Sequence, residues 1–208
     1  MSRLIAMLYD RMMQGTELAC LQQWRGALLA NCYGRVLEIG AGTGASLPLY
    51  PPGIDELLVS EPDPAMRRQL QRRIDSTRVA FATALADYQG ERLLVDDESV
   101  DCVVSSLVLC SVHNQAGTLT EIFRVLKPGG QLLFLEHVAA QEGTGRHRWQ
   151  RLVEPLWKRV AGNCHLTRCT EQAIIEAGFE LAQVQRESLR KVPPFVRPSI
   201  RGLARKPG

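Results

Sequence analysis

The chain has 208 residues, enough for one domain with a sizeable core, and its 45% hydrophobic and 23% charged fractions are those of an ordinary globular protein. A formal charge of +3 is too small to point to nucleic acid, and no stretch approaches the roughly 18 apolar residues of a membrane span. Six cysteines without a secretory leader point to reduced core thiols and a cytoplasmic location.

Residues 3–14 place Leu4, Ile5, Leu8 and Met12 on one helical face, and residues 16–30 do the same with Leu18, Leu21, Leu28 and Leu29 after a Thr16 N-cap. From Arg35 onward strands and helices alternate, the pattern of a parallel sheet covered on both faces. The first strand is Val36 to Ile39; a short helix from Thr43 is stopped by Pro51-Pro52-Gly53. The second strand, Glu56 to Ser60, leads through Glu61-Pro62-Asp63 into a helix opened by Pro64. A third strand is expected over 78–83, and the polar residues 84–99 read as loop.

Val100 to Leu109 is nearly all apolar, as a buried central strand should be, and a helix follows over 115–126. Lys127-Pro128-Gly129-Gly130 turns the chain into a fifth strand, Gln131 to Val138. The helix at 146–160 gathers Trp149, Leu152, Val153, Leu156, Trp157 and Val160 on a face expected to pack on the core, with Pro155 expected to kink or split it. Its basic residues Arg146, Arg148, Arg151, Lys158 and Arg159 take the other face, which also suits peripheral contact with an anionic membrane. A helix near 170–177 is closed by Gly178, and strands at 179–188 and 199–204 end the chain.

The stretch that organises this pattern is Glu38-Ile39-Gly40-Ala41-Gly42-Thr43-Gly44. Glycines that dense suit a tight turn against which a ligand must lie. With Ala45 they satisfy the dinucleotide pattern G-x-G-x-x-G/A, but a carboxylate at Glu38 would repel a pyrophosphate. The short, proline-stopped helix also fits a dinucleotide unit poorly. Glu38 would instead hold an ammonium, and Glu61 after the second strand suits a ribose diol. Ammonium plus ribose without phosphate describes S-adenosyl-L-methionine.

Over residues 35–205 the chain resembles the class I S-adenosylmethionine-dependent methyltransferases. The resemblance rests on the glycine stretch, on Glu61-Pro62-Asp63-Pro64 with Met66, on Ser99-Val100-Asp101 and on Leu126-Lys127-Pro128-Gly129-Gly130. Leu107 to Gln115, Leu135 to Ala140, Trp149-Gln150, Pro155-Leu156-Trp157 and His165-Leu166-Thr167-Arg168 are similar to the methyltransferase-like 7 group. The implied fold is α/β: a Rossmann-like, mostly parallel, seven-stranded sheet with helices on both faces. Residues 1–34 form an N-terminal helical cap on a single domain, and an acceptor-side helical insertion lies near 141–170. That group is implied to methylate thiols on small molecules; the membrane anchor of its animal members is not expected here.

The cofactor residues implied are Glu38, Gly40, Ala41, Gly42, Thr43, Gly44, Glu61, Pro62 and Met66, with Ala86 and Asp87 near the adenine and Ser106 and Leu107 at the end of the fourth strand. On the acceptor side, His137 is the candidate base, with Glu136 orienting it, and Tyr9, Cys110, His113 and Trp149 are pocket candidates. Methyl transfer from a sulfonium is an in-line displacement that needs alignment and desolvation, so no metal is expected. Cys164-His165 with Cys169 has a metal-like look but lacks a second ligand pair. A thiol acceptor is favoured; a quinone-like carbon, an amine or a phospholipid is the alternative, and a silent S-adenosylmethionine-binding module is the reading from another class.

Overall fold

The computed structural model describes residues 3–86 and 92–208. Seven strands form one sheet in the order β3-β2-β1-β4-β5-β7-β6. They are β1 (Gly34–Ile39), β2 (Ile54–Ser60), β3 (Ala82–Ala86), β4 (Val100–Ser106), β5 (Leu126–His137), β6 (Glu180–Ser188) and β7 (Pro198–Arg205). β1 to β5 run parallel, and β7 is antiparallel to both of its neighbours.

The central strands are apolar on both sides because both sides are covered. Val36, Leu57, Cys102 and Leu133 point to one face, where they pack with Leu21, Trp24, Leu28 and Leu70. Leu37, Leu58, Val103 and Phe134, one residue along, point to the other, against Leu119, Ile122 and Ile174. The helices among the described residues are α1 (Arg3–Thr16), α2 (Gln22–Leu29), α3 (Pro64–Ser76), α4 (Gln115–Val125), α5 (Gly145–Val160) and α6 (Thr170–Glu176), of which α2, α3, α4 and α6 supply these residues apart from Leu21. At the β5–β7 seam Phe134 pairs with Gly202, where an added Cβ would sit 2.0 Å from the Gln183 carbonyl.

Several boundaries differ from the sequence reading. α1 and α2 are not two capped helices: a π-helical turn at Glu17–Leu21 joins them, and Thr16 is helical with no capping bond. After the glycines there is no α-helix, only turns and a 3₁₀ turn at Leu47–Leu49, because three glycines cannot hold a helical first turn. β3 starts at Ala82, four residues later than expected, since the flanking residues are polar and carry little period. β4 stops at Ser106 because Leu107 takes φ +61°. The Lys127–Gly130 turn is an irregularity within β5 rather than its entry.

α3 and α4 begin as their sequences suggest. Asp63 accepts from the amides of Ala65 and Met66, with Pro64 following, and Asn114 accepts from Gly117. α5 runs unbroken through Pro155. Its apolar stripe does not pack inward as a whole: Val153 and Trp157 reach the core, but Leu152 (79% exposed) and Leu156 (64%) face outward. Among the described residues no helix is long and apolar enough to cross a membrane.

Candidate active site

The C-terminal ends of β1 and β4 and the helical cap surround a cavity of about 470 Å³, within the size range of small-molecule sites. The parallel sheet explains the location, since ligands of open α/β sheets gather beyond the carboxyl ends of the strands. Glu38, Gly40, Ala41, Gly42, Thr43, Ser106, Leu107 and Tyr9 all line it.

Glu38, the penultimate residue of β1, is buried, and Tyr50 donates its hydroxyl to Oε2 at 3.1 Å. Burial pushes its pKa up, while bonds from Ser46 and Tyr50 resist the shift. A buried acid on a cavity wall, with Arg25 near enough to act on its charge but not bonded to it, fits an ammonium group. The turn after it holds positive φ at Gly40, Gly42 and Gly44. A Cβ on Gly40 would meet Val108 at 2.7 Å, and one on Gly44 would meet Leu47 and Leu70 at 2.9 Å, so these two permit packing. A Cβ on Gly42 meets nothing within 4 Å, so this residue leaves its space open on the cavity wall.

A prediction follows from that difference. Gly42→Ala should fold, at about 1 kcal/mol for the left-handed backbone, yet weaken S-adenosylmethionine at least about tenfold by occupying its space. Gly40→Ala should lose the fold itself. Calorimetric titration beside a thermal melt separates them, and parental affinity in Gly42→Ala would exclude Gly42 from the binding wall.

Glu61 is buried and does not line the cavity; it accepts from the Gly42 amide at 2.9 Å and from the Asp63 amide at 2.8 Å. It therefore braces the glycine turn, and each oxygen keeps lone-pair capacity for a further donor. Burial raises its pKa and the two amides oppose that. Pro62 is exposed, Met66 is buried in the first turn of α3, and neither lines the cavity. Ala86 ends β3, and Asp87 lies outside the described residues.

The cap supplies residues that sequence reasoning missed. Arg25, only 7% exposed, lines the cavity, donates through Nε to Ser106 Oγ at 3.1 Å and pairs with both oxygens of Glu17 at 2.8 and 2.6 Å. The π-helical turn begins at that Glu17, a common use of such a bulge. Asp10 accepts from Thr43 Oγ1 at 2.5 Å and pairs with Arg73 at 2.6 Å, tying α1 to the glycine turn and to α3. Desolvation pushes the phenol of Tyr9 up to about 12.

The acceptor-side residues are arranged differently from expectation. Glu136 is fully buried and does not orient His137. It accepts from Ser105 Oγ at 2.7 Å and from the amides of Val108 and Leu109 at 3.1 Å and Cys110 at 3.3 Å. Arg168 donates to the carbonyls of Leu109 and Val112 at 2.5 and 2.6 Å, so the loop after β4 is clamped from two sides.

His137 is also buried and off the cavity wall, with Nε2 2.8 Å from Cys164 Sγ and Nδ1 buried without a partner. Burial disfavours its charged ring, but the bond to Cys164 wins and holds its pKa above the usual value. Cys110 is buried with Sγ 3.8 Å from that of Cys164. The contacts from Cys110 and His137 hold the Cys164 thiol well below its usual range against its burial. His113 is exposed, and Trp149 packs edge-on against Phe195 away from the cavity. His165 turns toward Glu154 at 3.5 Å and Cys169 is exposed, so the chain-local Cys-His-Cys grouping does not assemble.

The family described as "Methyltransferase domain" matches residues 37–134. The chain is similar to the thiol S-methyltransferase TMT1B of Rattus norvegicus, at 39% identity over 82% of this chain and 70% of that protein. It is equally similar, at 39% over 82% and 70%, to the thiol S-methyltransferase TMT1A of Homo sapiens. Its fold is similar to the crystal structure of the YcgJ protein of Bacillus subtilis, with a TM-score of 0.70 at 16% identity, covering 90% of this chain and 100% of that one.

Proposed function

This chain belongs to the class I S-adenosylmethionine-dependent methyltransferases, and on that premise we propose that it methylates the thiol of a small molecule. One observation carries the proposal: 39% identity to thiol S-methyltransferases over 82% of the chain reaches well past the methyltransferase-domain segment 37–134. Such a span takes in acceptor-side residues as well as the cofactor half.

S-adenosylmethionine supplies a methyl group already activated by the positive sulfur. Glu38 holds the ammonium with its buried carboxylate, and Arg25 lies in the same cavity where it can pair with the carboxylate at the other side of the same carbon. Glu61 acts at one remove, since its carboxylate accepts from the Gly42 amide and holds the glycine turn in the shape that receives the cofactor. The backbone near Ser106 and Leu107 and the cap residue Tyr9 close the wall toward the acceptor. With the reacting atoms aligned and water excluded, no protein nucleophile is required.

Incubation with labelled S-adenosylmethionine and a panel of thiols, amines and phenols tests the reading. Label is expected in thioether products. Transfer only to amines or carbon acceptors would overturn the thiol assignment, and cofactor binding without transfer to any acceptor would favour a silent binding module.

A further inference from the structure

The cofactor cavity does not use the buried cluster at the ends of β4 and β5. We infer that Cys110, His137 and Cys164 bind one zinc-class ion whose fourth position takes the thiolate of the acceptor, a step that rests on the thiol reading above.

The three candidate ligand atoms lie within 4.8 Å of one another, and all three residues are buried. Two thiolates at about 2.3 Å from a tetrahedral ion stand about 3.8 Å apart, which is the separation of the Cys110 and Cys164 sulfurs. A thiolate and an imidazole nitrogen on the same ion stand about 3.5 Å apart. His137 Nε2 is 2.8 Å from Cys164 Sγ, so it must retreat by less than an ångström.

The ligand set is thiolate and imidazole without a carboxylate. That selects a soft or borderline ion such as Zn²⁺ over Mg²⁺ or Ca²⁺.

The frame is rigid before any ion arrives. The Cys110 amide is held by Glu136, and its carbonyl accepts from the His165 amide at 2.8 Å. Asn163 Nδ2 donates to the Ser111 carbonyl at 2.8 Å, and the Ala139 amide donates to the Arg168 carbonyl at 3.0 Å. The loop carrying Cys164 is thereby fastened to the loops carrying Cys110 and following His137.

Among the described residues only three ligands converge, and zinc sites with three protein ligands keep a position for a bound reactant. Cys110 lies three residues beyond Leu107, which lines the cavity. The site therefore stands at the strand ends, on the loop that continues from the cavity wall.

At this ion the acceptor R–SH binds as R–S⁻ and releases its proton to solvent. Its sulfur lone pair then forms the new S–CH₃ bond. The bond from that methyl to the sulfonium breaks, its electron pair stays on the departing sulfur, and S-adenosylhomocysteine leaves neutral at that atom. The product thioether carries no charge for the ion to hold, so it dissociates.

The full-length chain, reduced and stripped with a chelator, is titrated with Zn²⁺ and separately with Co²⁺ as a spectroscopic probe. One ion per chain is expected, with a thiolate-to-cobalt charge-transfer band and the visible bands of a tetrahedral site. Cys110→Ser, Cys164→Ser and His137→Gln should each lose affinity at least 100-fold while still binding S-adenosylmethionine, which reports that they remain folded. Cys169→Ser should bind the ion as the parent does. A small thiol added without cofactor should shift the visible cobalt bands, and no shift would overturn the fourth-position assignment. Absence of stoichiometric binding by the parent, or its survival in both cysteine variants, would overturn the site. A parent that methylates thiols without the ion removes this inference and leaves the thiol reading in place, whereas an ion-loaded protein that methylates no thiol removes the reading.

Discussion

Glu38→Gln is expected to weaken S-adenosylmethionine binding by roughly 100-fold or more, while the unliganded protein melts no lower than the parent. Breaking a buried ion pair by removing one partner costs about 3 kcal/mol or more, and about 1.4 kcal/mol is tenfold in affinity. Without ligand the balance is reversed. Burial alone raises the pKa of Glu38, so the charged form is a burden on the empty fold, and Gln keeps an oxygen for the Tyr50 hydroxyl. The sign for pH follows. A carboxyl whose folded pKa lies above its unfolded value contributes stability at low pH that is lost as pH rises through the folded pKa. The melting-temperature gain of Glu38→Gln should therefore be larger at pH 8 than at pH 4. Calorimetry and melts at both values check this, and near-parental affinity in the variant would remove Glu38 from cofactor binding.

Glu136→Ala should lower stability by about 3–5 kcal/mol, a fall of roughly 10 °C in a chain of this size. The carboxylate is the acceptor for Ser105 and for three consecutive amides, Val108 to Cys110, and its loss leaves those donors buried and unmet. Leu107, in the left-handed region, is kept there by the same clamp, so the wall between cofactor and acceptor should loosen. Methyl transfer should fall even well below the melting temperature. Glu136→Gln retains one acceptor oxygen and should lie between the two. A melt within a few degrees of the parent for Glu136→Ala would rule out the clamp.

Much of the cofactor half is legible residue by residue. Val36 to Ile39 and Val100 to Ser106 are apolar on both faces because both are buried, and a run of that kind declares its strand. Asp63-Pro64 announces α3 through cap chemistry confined to a few neighbouring residues. Glu38 and the glycines name the ligand because their spacing along the chain is also their spacing in the turn. The α5 stripe shows the opposite case: periodicity establishes that a stripe exists, and says nothing about whether another element covers Leu152 and Leu156.

The sequence by itself determined the central strands, the glycine turn and the acid before it, because each depends on a pattern within a few residues. Tertiary structure alone decided that Glu136 serves the loop after β4 and not His137, that Arg25 of the cap enters the cofactor cavity, and that Cys164 finds Cys110 and His137. Those partners stand 26 to 28, 81, and 54 and 27 residues apart along the chain. Parallel strands joined by crossovers bring their carboxyl ends together across such separations, and no local pattern records which side chains meet there.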